Sequence, residues 1–471
     1  MSSNYIGDHA LVMGGSMAGL FTARILADHF ARVTLVERDQ FPEQPQLRSG
    51  VPQSSHTHIL LLKGQQILEQ LFPGFQSELI ARDATWVDWI NEGLMLSPSG
   101  WQPRFPSAFQ TVPCSRPLLE WVIYQRLKTI PNIKIIENAQ VKSLLTQAEI
   151  HKITGAKIQF KDSNHSQELM ADLIVDATGR QSKLPQWLKE LGYPTPPETV
   201  INSFLGYASR CYQQPQDFKA DWKSIYIWAK PPFDKRGGLI YPIEKKRWIV
   251  TVVGNNRDYP PQDETGFLDF TRSLRSPVIY EAIKTAQPLS PIYTYRGTGN
   301  HRRYYEQLSD LPDGLIALGD AVCTFNPVYG QGMTVAALGA LTLDQCLREH
   351  YPQTQFPQQF YRQLAKVLNQ PWLMATGEDF RWPATEGGKP NRMTKLLHQY
   401  LDQILALGVK HPKIYQSFVE VMHITKPAYT LFHPEYILRV FGRWIVSQEA
   451  QEVAVEDQPI PKLVSESSRS R

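Results

Sequence analysis

The stretch Ala10-Leu11-Val12-Met13-Gly14-Gly15-Ser16-Met17-Ala18-Gly19 decides the fold, together with Val33-Thr34-Leu35-Val36-Glu37 a little downstream. Its first four residues are an apolar run that two glycines cut off. From Met17 to about His29, Leu20, Ala23, Ile25 and Leu26 are interspersed with polar residues in a helical pattern. The β-branched run that ends at Glu37 reads as a buried strand. Strand, tight turn, helix and strand make a βαβ unit. In such a unit Gly14 makes the turn and Gly19 lets helix and strand pack closely. Across Gly15, Ser16 and Ala18 the helix N-terminus offers backbone N–H groups and a positive dipole end to a pyrophosphate. Ser16 stands where the usual pattern has a second glycine. Glu37 lies 23 positions after Gly14, where an acidic side chain accepts hydrogen bonds from a ribose. A ligand-free glycine turn is the competing reading, and the βαβ context with Glu37 outweighs it.

Outward from this unit, the chain has 471 residues, enough for two or three domains. Hydrophobic residues make up 42%, which supplies a sizeable core and excludes global disorder. The net charge of +4 is too even to imply nucleic acid. No apolar run is long enough to span a membrane, and the N-terminus carries no signal-peptide pattern. Cys114, Cys211, Cys323 and Cys346 are scattered, without CxxC or Cys/His spacing. They read as ordinary thiols in a reducing cytoplasm, with no metal site.

A helix is expected from about His58 to Leu71, and Ala84 to Ile90 with Leu94 to Leu96 reads as a hairpin. Ser115 reads as the cap of a helix with Pro117 in its first turn. Strands are expected at Ile133–Ile136, Lys152–Phe160, Leu173–Val175, Ser224–Trp228, Trp248–Val253 and Leu315–Leu318, and a helix begins near Gly332. The expected organisation is a nucleotide-binding domain in three segments, residues 1–83, 105–195 and 305–350. A hairpin at 84–104 and a mostly β substrate domain at 196–304 interrupt it. A helical part at 351–447 and a disordered tail at 448–471 follow.

A second motif is Gly319-Asp320-Ala321, then Asn326-Pro327 and Gly330-Gln331-Gly332-Met333. A strand delivers Asp320, whose carboxylate can accept hydrogen bonds from a sugar-alcohol chain. The glycines let backbone approach a flat ring, and the helix dipole there favours negative charge on it. A third is Asp172-Leu173-Ile174-Val175-Asp176-Ala177-Thr178-Gly179-Arg180-Gln181-Ser182. The first two motifs resemble the FAD signatures of class A flavoprotein monooxygenases, of p-hydroxybenzoate hydroxylase fold. Gly50-Val51-Pro52-Gln53-Ser54-Ser55-His56-Thr57-His58 resembles a branch that includes polyether-type epoxidases.

The resemblance implies an α/β fold. It has a Rossmann-like FAD-binding domain, a mostly β substrate-domain insertion and a helical C-terminal part. It implies non-covalent FAD, with Gly14, Gly15, Ser16, Ala18 and Gly19 on the pyrophosphate and Glu37 and Arg38 at the adenosine end. Asp320 would hold the ribityl chain, and Pro327, Gly330, Gln331, Gly332 and Met333 would border the isoalloxazine. Arg48 and Arg116 would contact the cofactor, and Val141 would pair with adenine. The third motif resembles the one linked to both FAD and NAD(P)H binding, with Thr178 in place of its usual Asp; a strand end with a tight turn that packs the fold is the competing reading. Asp320 is expected to be partly desolvated and Glu37 nearer to solvent. His56 and His58 read as residues leading into a helix, or as flavin neighbours.

The family's oxidant is a flavin C4a-hydroperoxide, so no catalytic side chain is expected. NAD(P)H and O2 are the implied co-substrates, and a small apolar organic molecule is the implied substrate. Tyr226, Trp228 and Tyr241 are candidate pocket walls, or plain sheet core. A flavin reductase of isoprenoid-like substrates and a non-enzymatic flavin- or lipid-binding module remain as alternatives. A halogenase is disfavoured, because no Trp-x-Trp-x-Ile-Pro segment is present.

Overall fold

The computed structural model describes residues 5–147, 151–161, 165–352 and 355–446, so the tail 448–471 lies outside the described residues. The expected βαβ unit is its centre. Strand β1 (Gly7–Met13) leads through the glycine turn into helix α1 (Met17–Leu26) and strand β2 (Phe30–Val36). With β7 (Ile133–Ile136), β11 (Leu173–Asp176) and β19 (Leu315–Ala317) they form a five-stranded sheet in the order β19-β11-β1-β2-β7, every pair parallel. The last five residues of β1 are buried, as a parallel sheet covered on both faces requires. Helices α4 (Arg116–Lys128) and α8 (Gly332–His350) pack with α1 over this sheet. Ser115 caps α4, its Oγ accepting the Leu118 N–H at 3.3 Å, and Pro117 sits in the first turn, where no helical N–H is needed. A three-stranded antiparallel sheet, β8 (Ala139–Gln147), β9 (Lys152–Phe160) and β10 (Ser166–Met170), lies beside them, and helix α5 (Leu184–Glu190) follows β11.

The insertion is a seven-stranded sheet. Its order is β17 (Tyr293–Tyr295), β13 (Gly206–Gln213), β16 (Arg247–Gly254), β15 (Arg236–Ile243), β14 (Ser224–Ile227), β4 (Gly93–Ser97) and β5 (Gly100–Trp101). Alternation along β14, β15 and β16 sends Ile225, Ile240 and Val250 to one face, under α6 (Glu264–Arg272) and α7 (Val278–Ile283). Tyr226, Tyr241 and Ile249 go to the other face, where they meet Trp89 and Tyr415. A small sheet of β12 (Glu198–Ile201), β18 (Asn300–Arg303) and β20 (Cys323–Thr324) joins this part to the parallel sheet. Helices α9 (Phe356–Asp379), α10 (Arg392–Gly408), α11 (Pro412–Met422) and α12 (Pro434–Val446) form the C-terminal part. The architecture is thus α/β, with a β-rich region and C-terminal helices. No helix among the described residues is long and apolar enough to cross a membrane.

Two local expectations fail. The segment 84–96 is no hairpin. Strand β3 (Val87–Asp88) pairs with β6 (Gln110–Thr111), whereas β4 runs parallel to β14. The cause is Asp88, whose carboxylate accepts the N–H groups of Ile90 and Asn91 and turns the chain out of the first pairing. The helix expected from His58 starts at Leu62, as α2 (Leu62–Leu71), with α3 (Phe75–Ala81) after it. His56, Thr57 and His58 are held outside the helix by their side chains. His56 Nδ1 bonds Ser209 Oγ at 2.9 Å, Thr57 bonds Thr251 at 2.8 Å, and His58 Nδ1 donates to the His56 carbonyl at 3.0 Å.

Candidate functional site

Parallel register assembles the site. Met13 pairs with Asp176 and Asp176 with Ala317, so the carboxyl ends of β1, β11 and β19 lie side by side. The loops that leave them open a crevice of the kind in which open α/β sheets bind ligands. Gly14 turns with φ +99°, and a Cβ there would stand 2.6 Å from the Ala177 carbonyl oxygen. A Cβ on Gly319 would meet the Ala18 side chain at 2.6 Å, so the first and second motifs touch. Gly330, left-handed at φ +66°, faces Ile59, which joins the second motif to the 50–58 segment.

The polar groups around this crevice are only partly satisfied. Ser16 does not cap α1; its Oγ accepts from Arg116 Nη2 at 2.9 Å instead. Arg116 is buried and ion-paired with Glu120 at 2.6 Å, while its Nη1 has no hydrogen-bond partner among the described residues. Gln331 Oε1 and Thr334 Oγ1, at the start of α8, are also buried without a hydrogen-bond partner among the described residues, but these side chains lie against Met374 and Gly64 rather than in the crevice. Asp320 accepts no side-chain hydrogen bond among the described residues. Burial pushes its carboxyl up to about 6, against the pull of Arg180 and Arg116. Of these groups the Arg116 guanidinium, bonded to Ser16 at the start of α1, is the one whose spare donor suits an anionic ligand at that helix N-terminus.

The adenosine-side expectation needs one correction. Glu37 is not near solvent: it is 5% exposed, and it accepts the Gly15 N–H at 2.5 Å and the Asp39 N–H at 2.9 Å. Arg48 is the hub beside it. It donates to Glu120 and to the Gly15 carbonyl, lies 3.5 Å from Glu37 and stacks on Phe41. Arg38 is exposed and reaches the Gly50 carbonyl. Val141 is buried in β8, two residues after Ala139, whose N–H bonds the Glu37 carbonyl. In the third motif Asp176 is fully buried and accepts from Thr178 N, Thr178 Oγ and Ser182 Oγ, so its carboxylate closes its own turn.

The FAD binding domain family matches residues 9–355, a span that contains all three motifs. The chain belongs to this FAD-binding family. Protein Rv3254 of Mycobacterium tuberculosis is 29% identical over 427 residues, 88% of each chain. Among solved structures, the flavin-dependent brominase Bmp2 superposes with a TM-score of 0.66 at 13% identity, over 94% of this chain and 100% of its own. The myxobacterial chondrochloren halogenase CndH follows at 0.59 and 15% identity, over 89% and 96%. PqsL, a probable FAD-dependent monooxygenase from Pseudomonas aeruginosa, matches at 0.57 and 16% identity, over 80% and 97%. At these identities the likeness is one of fold. It agrees with a class A flavoprotein architecture.

Within this FAD-binding frame, sequence reasoning missed the groups that hold the second motif in place. Asp379, at the end of α9, is fully buried. It accepts from Asn300 at 2.7 Å, from Asn326 at 2.9 Å and from the Tyr329 hydroxyl at 2.8 Å. Burial pushes its carboxyl up to about 6 while these donors hold it down. It thereby pins the Asn326–Gly330 turn to β18 and to the C-terminal helices. Only its distance along the chain hid it. Asp379→Ala leaves three donors unpaired and is expected to cost about 2–3 kcal/mol. Thermal melting checks this, and an unchanged melting temperature refutes it.

Asp320 gives a pH test. If its carboxylate must be ionised to accept from a cofactor hydroxyl, a group at about 6 is mostly ionised at pH 7.5 and mostly protonated at pH 5. FAD binding is then expected to weaken about tenfold from pH 7.5 to 5. Asp320→Asn should flatten that dependence in an FAD titration.

Proposed function

We propose that this protein is an FAD-dependent monooxygenase that uses NAD(P)H and O2 to hydroxylate or epoxidise an apolar organic substrate. Bound FAD would supply hydride acceptance and oxygen activation. The proposed binding residues are Gly14 to Gly19, Glu37, Arg38, Arg48, Arg116, Val141, Asp320, Pro327 and Gly330 to Met333. Their task is to anchor phosphates at the α1 N-terminus, hold the sugar chain at Asp320 and seat the ring against α8. NAD(P)H enters on the family likeness alone; Asp176, spent on its own turn, lends it no support.

The carrying observation is the seam at Ile59. This residue stands 3.6 Å from where a Cβ on Gly330 would lie, and it packs on the aromatic cluster of the insertion sheet. Ile59 thus lies between the second motif and the cluster that contains Tyr226, Tyr241, Trp89 and Tyr415. His58 and Tyr241 line one cavity with Leu60, Leu68 and Val112. Burial holds His58 neutral there, at about 3, and holds the nearby His56 neutral at about 4. A lining without charged side chains, mostly apolar with Gln65 and Gln76 among it, suits an apolar substrate. The likeness of residues 50–58 to polyether-type epoxidases supports an alkene as the group oxidised.

Trp228 tests this reading. It is half-buried, with its ring 6.0 Å from that of Phe418 on α11, whereas Tyr241 is only 3% exposed. Trp228→Ala is expected to keep its flavin and its fold while more reducing equivalents drain to hydrogen peroxide. Tyr241→Ala is expected to lose about 3–5 kcal/mol as a core aromatic. The peroxide-to-product ratio and the melting temperature separate the two. A Trp228→Ala enzyme with unchanged coupling places the pocket elsewhere.

A further inference from the structure

The C-terminal helices carry an apolar face that nothing among the described residues covers. Along α10 the apolar stripe Met393, Leu396, Leu397, Tyr400, Ile404 follows helical spacing. Its second half is core, with Tyr400 and Ile404 packed on α11 and α12. Its first half projects beyond that core, and Met393 is 70% exposed and Leu396 49%. The exposed Phe432 continues the same face, because its ring stacks on Tyr400, one turn after Leu396 and Leu397. On α12, Val440 joins the same core while Leu438 stays exposed.

Charge around this face is one-sided. From Gly387 to Val419 the chain carries Lys389, Arg392, Lys395, Lys410 and Lys413 against Asp402, and the acids that bound this span, Glu386 and Glu420, are paired with Arg257 and Lys426. Asp402 is already paired with Arg381 at 2.9 Å. Lys389, Arg392 and Lys395 are exposed and flank Met393 and Leu396 directly. An amphipathic surface of exposed apolar side chains bordered by cations is built to lie in the plane of an anionic lipid interface.

We propose that the N-terminal half of α10, with Phe432 and Leu438, docks the protein onto anionic lipid bilayers without crossing them. Docking there would let an apolar substrate reach the site from the lipid phase, a consequence that rests on the function proposed above. The seat itself does not depend on that function.

The test is flotation of the FAD-loaded full chain with two kinds of vesicle, phosphatidylcholine alone and phosphatidylcholine mixed with phosphatidylglycerol. Binding to the mixed vesicles alone, weakened by salt, is expected. Leu396→Glu with Leu397→Glu should cut it at least about tenfold, and so should Lys389→Glu, Arg392→Glu and Lys395→Glu together. Both variants alter exposed residues, so melting temperature and bound flavin should not change. No vesicle binding, equal binding to both lipids, or variants that bind like the parent would overturn the proposal. Light scattering names the rival occupant: a dimer that Leu396→Glu with Leu397→Glu dissolves, without vesicle binding, assigns the face to a second copy of this chain.

Discussion

Gly19→Ala is expected to abolish FAD binding and to destabilise the chain by about 3 kcal/mol or more. A Cβ at Gly19 would stand 1.7 Å from the Gly14 carbonyl oxygen. Both partners are backbone, so no flexible side chain can swing away. The helix must move off the strand, and the Gly14–Gly19 turn opens with it. Gly332→Ala is the matched control for stability, because a Cβ there meets nothing within 4 Å. It should keep the parent melting temperature. A Gly19→Ala protein that melts with the parent and binds FAD would refute the close-packing account of this turn.

Glu37→Ala and Asp320→Ala are expected to fail in opposite ways. Glu37 shares a buried cluster with Asp39, Glu120 and Arg48. Its removal strands the Gly15 N–H and takes one counter-charge from Arg48, so a loss of about 3–5 kcal/mol in stability is expected. Asp320 has no such partners. Its replacement relieves a desolvated carboxylate, so the FAD-free protein should melt at or above the parent temperature. The cost falls on the ligand, where loss of a charge-assisted hydrogen bond amounts to about 1.5–3 kcal/mol, at least about tenfold in affinity. Paired melting curves and FAD titrations decide the matter. Two variants that lose stability equally, with Asp320→Ala keeping full affinity, would contradict it.

The parts of the fold legible in the sequence were those that local chemistry dictates. The turn at Gly14–Gly19, the buried strand before Glu37 and the Ser115 cap follow from backbone geometry and short-range hydrogen bonds. The helix placed at His58 and the hairpin at 84–96 failed because distant partners decide those segments. Ser209 and Thr251 hold His56 and Thr57 extended, and β14 takes β4 away from β3. His423 is a further case. It sits just past α11, yet its Nδ1 accepts the Leu62 N–H at 3.1 Å and so fixes where α2 begins. Glu37 was placed on the right strand end but in the wrong medium, because the carboxylate–arginine cluster that buries it is drawn from segments far apart in the chain. Asp379 carried no motif at all. Its role exists only where α9, β18 and the Asn326–Gly330 turn meet.

The proposed activity is tested most directly by reducing the FAD-loaded protein anaerobically and mixing it with isotope-labelled O2 and a panel of apolar alkenes and polyenes. Mass spectrometry then reads the products. The account predicts a product that gains one labelled oxygen atom. Flavin reoxidation that yields only hydrogen peroxide across the panel, together with double-bond reduction of a panel member before oxygen is admitted, would contradict it and assign the site to a reductase.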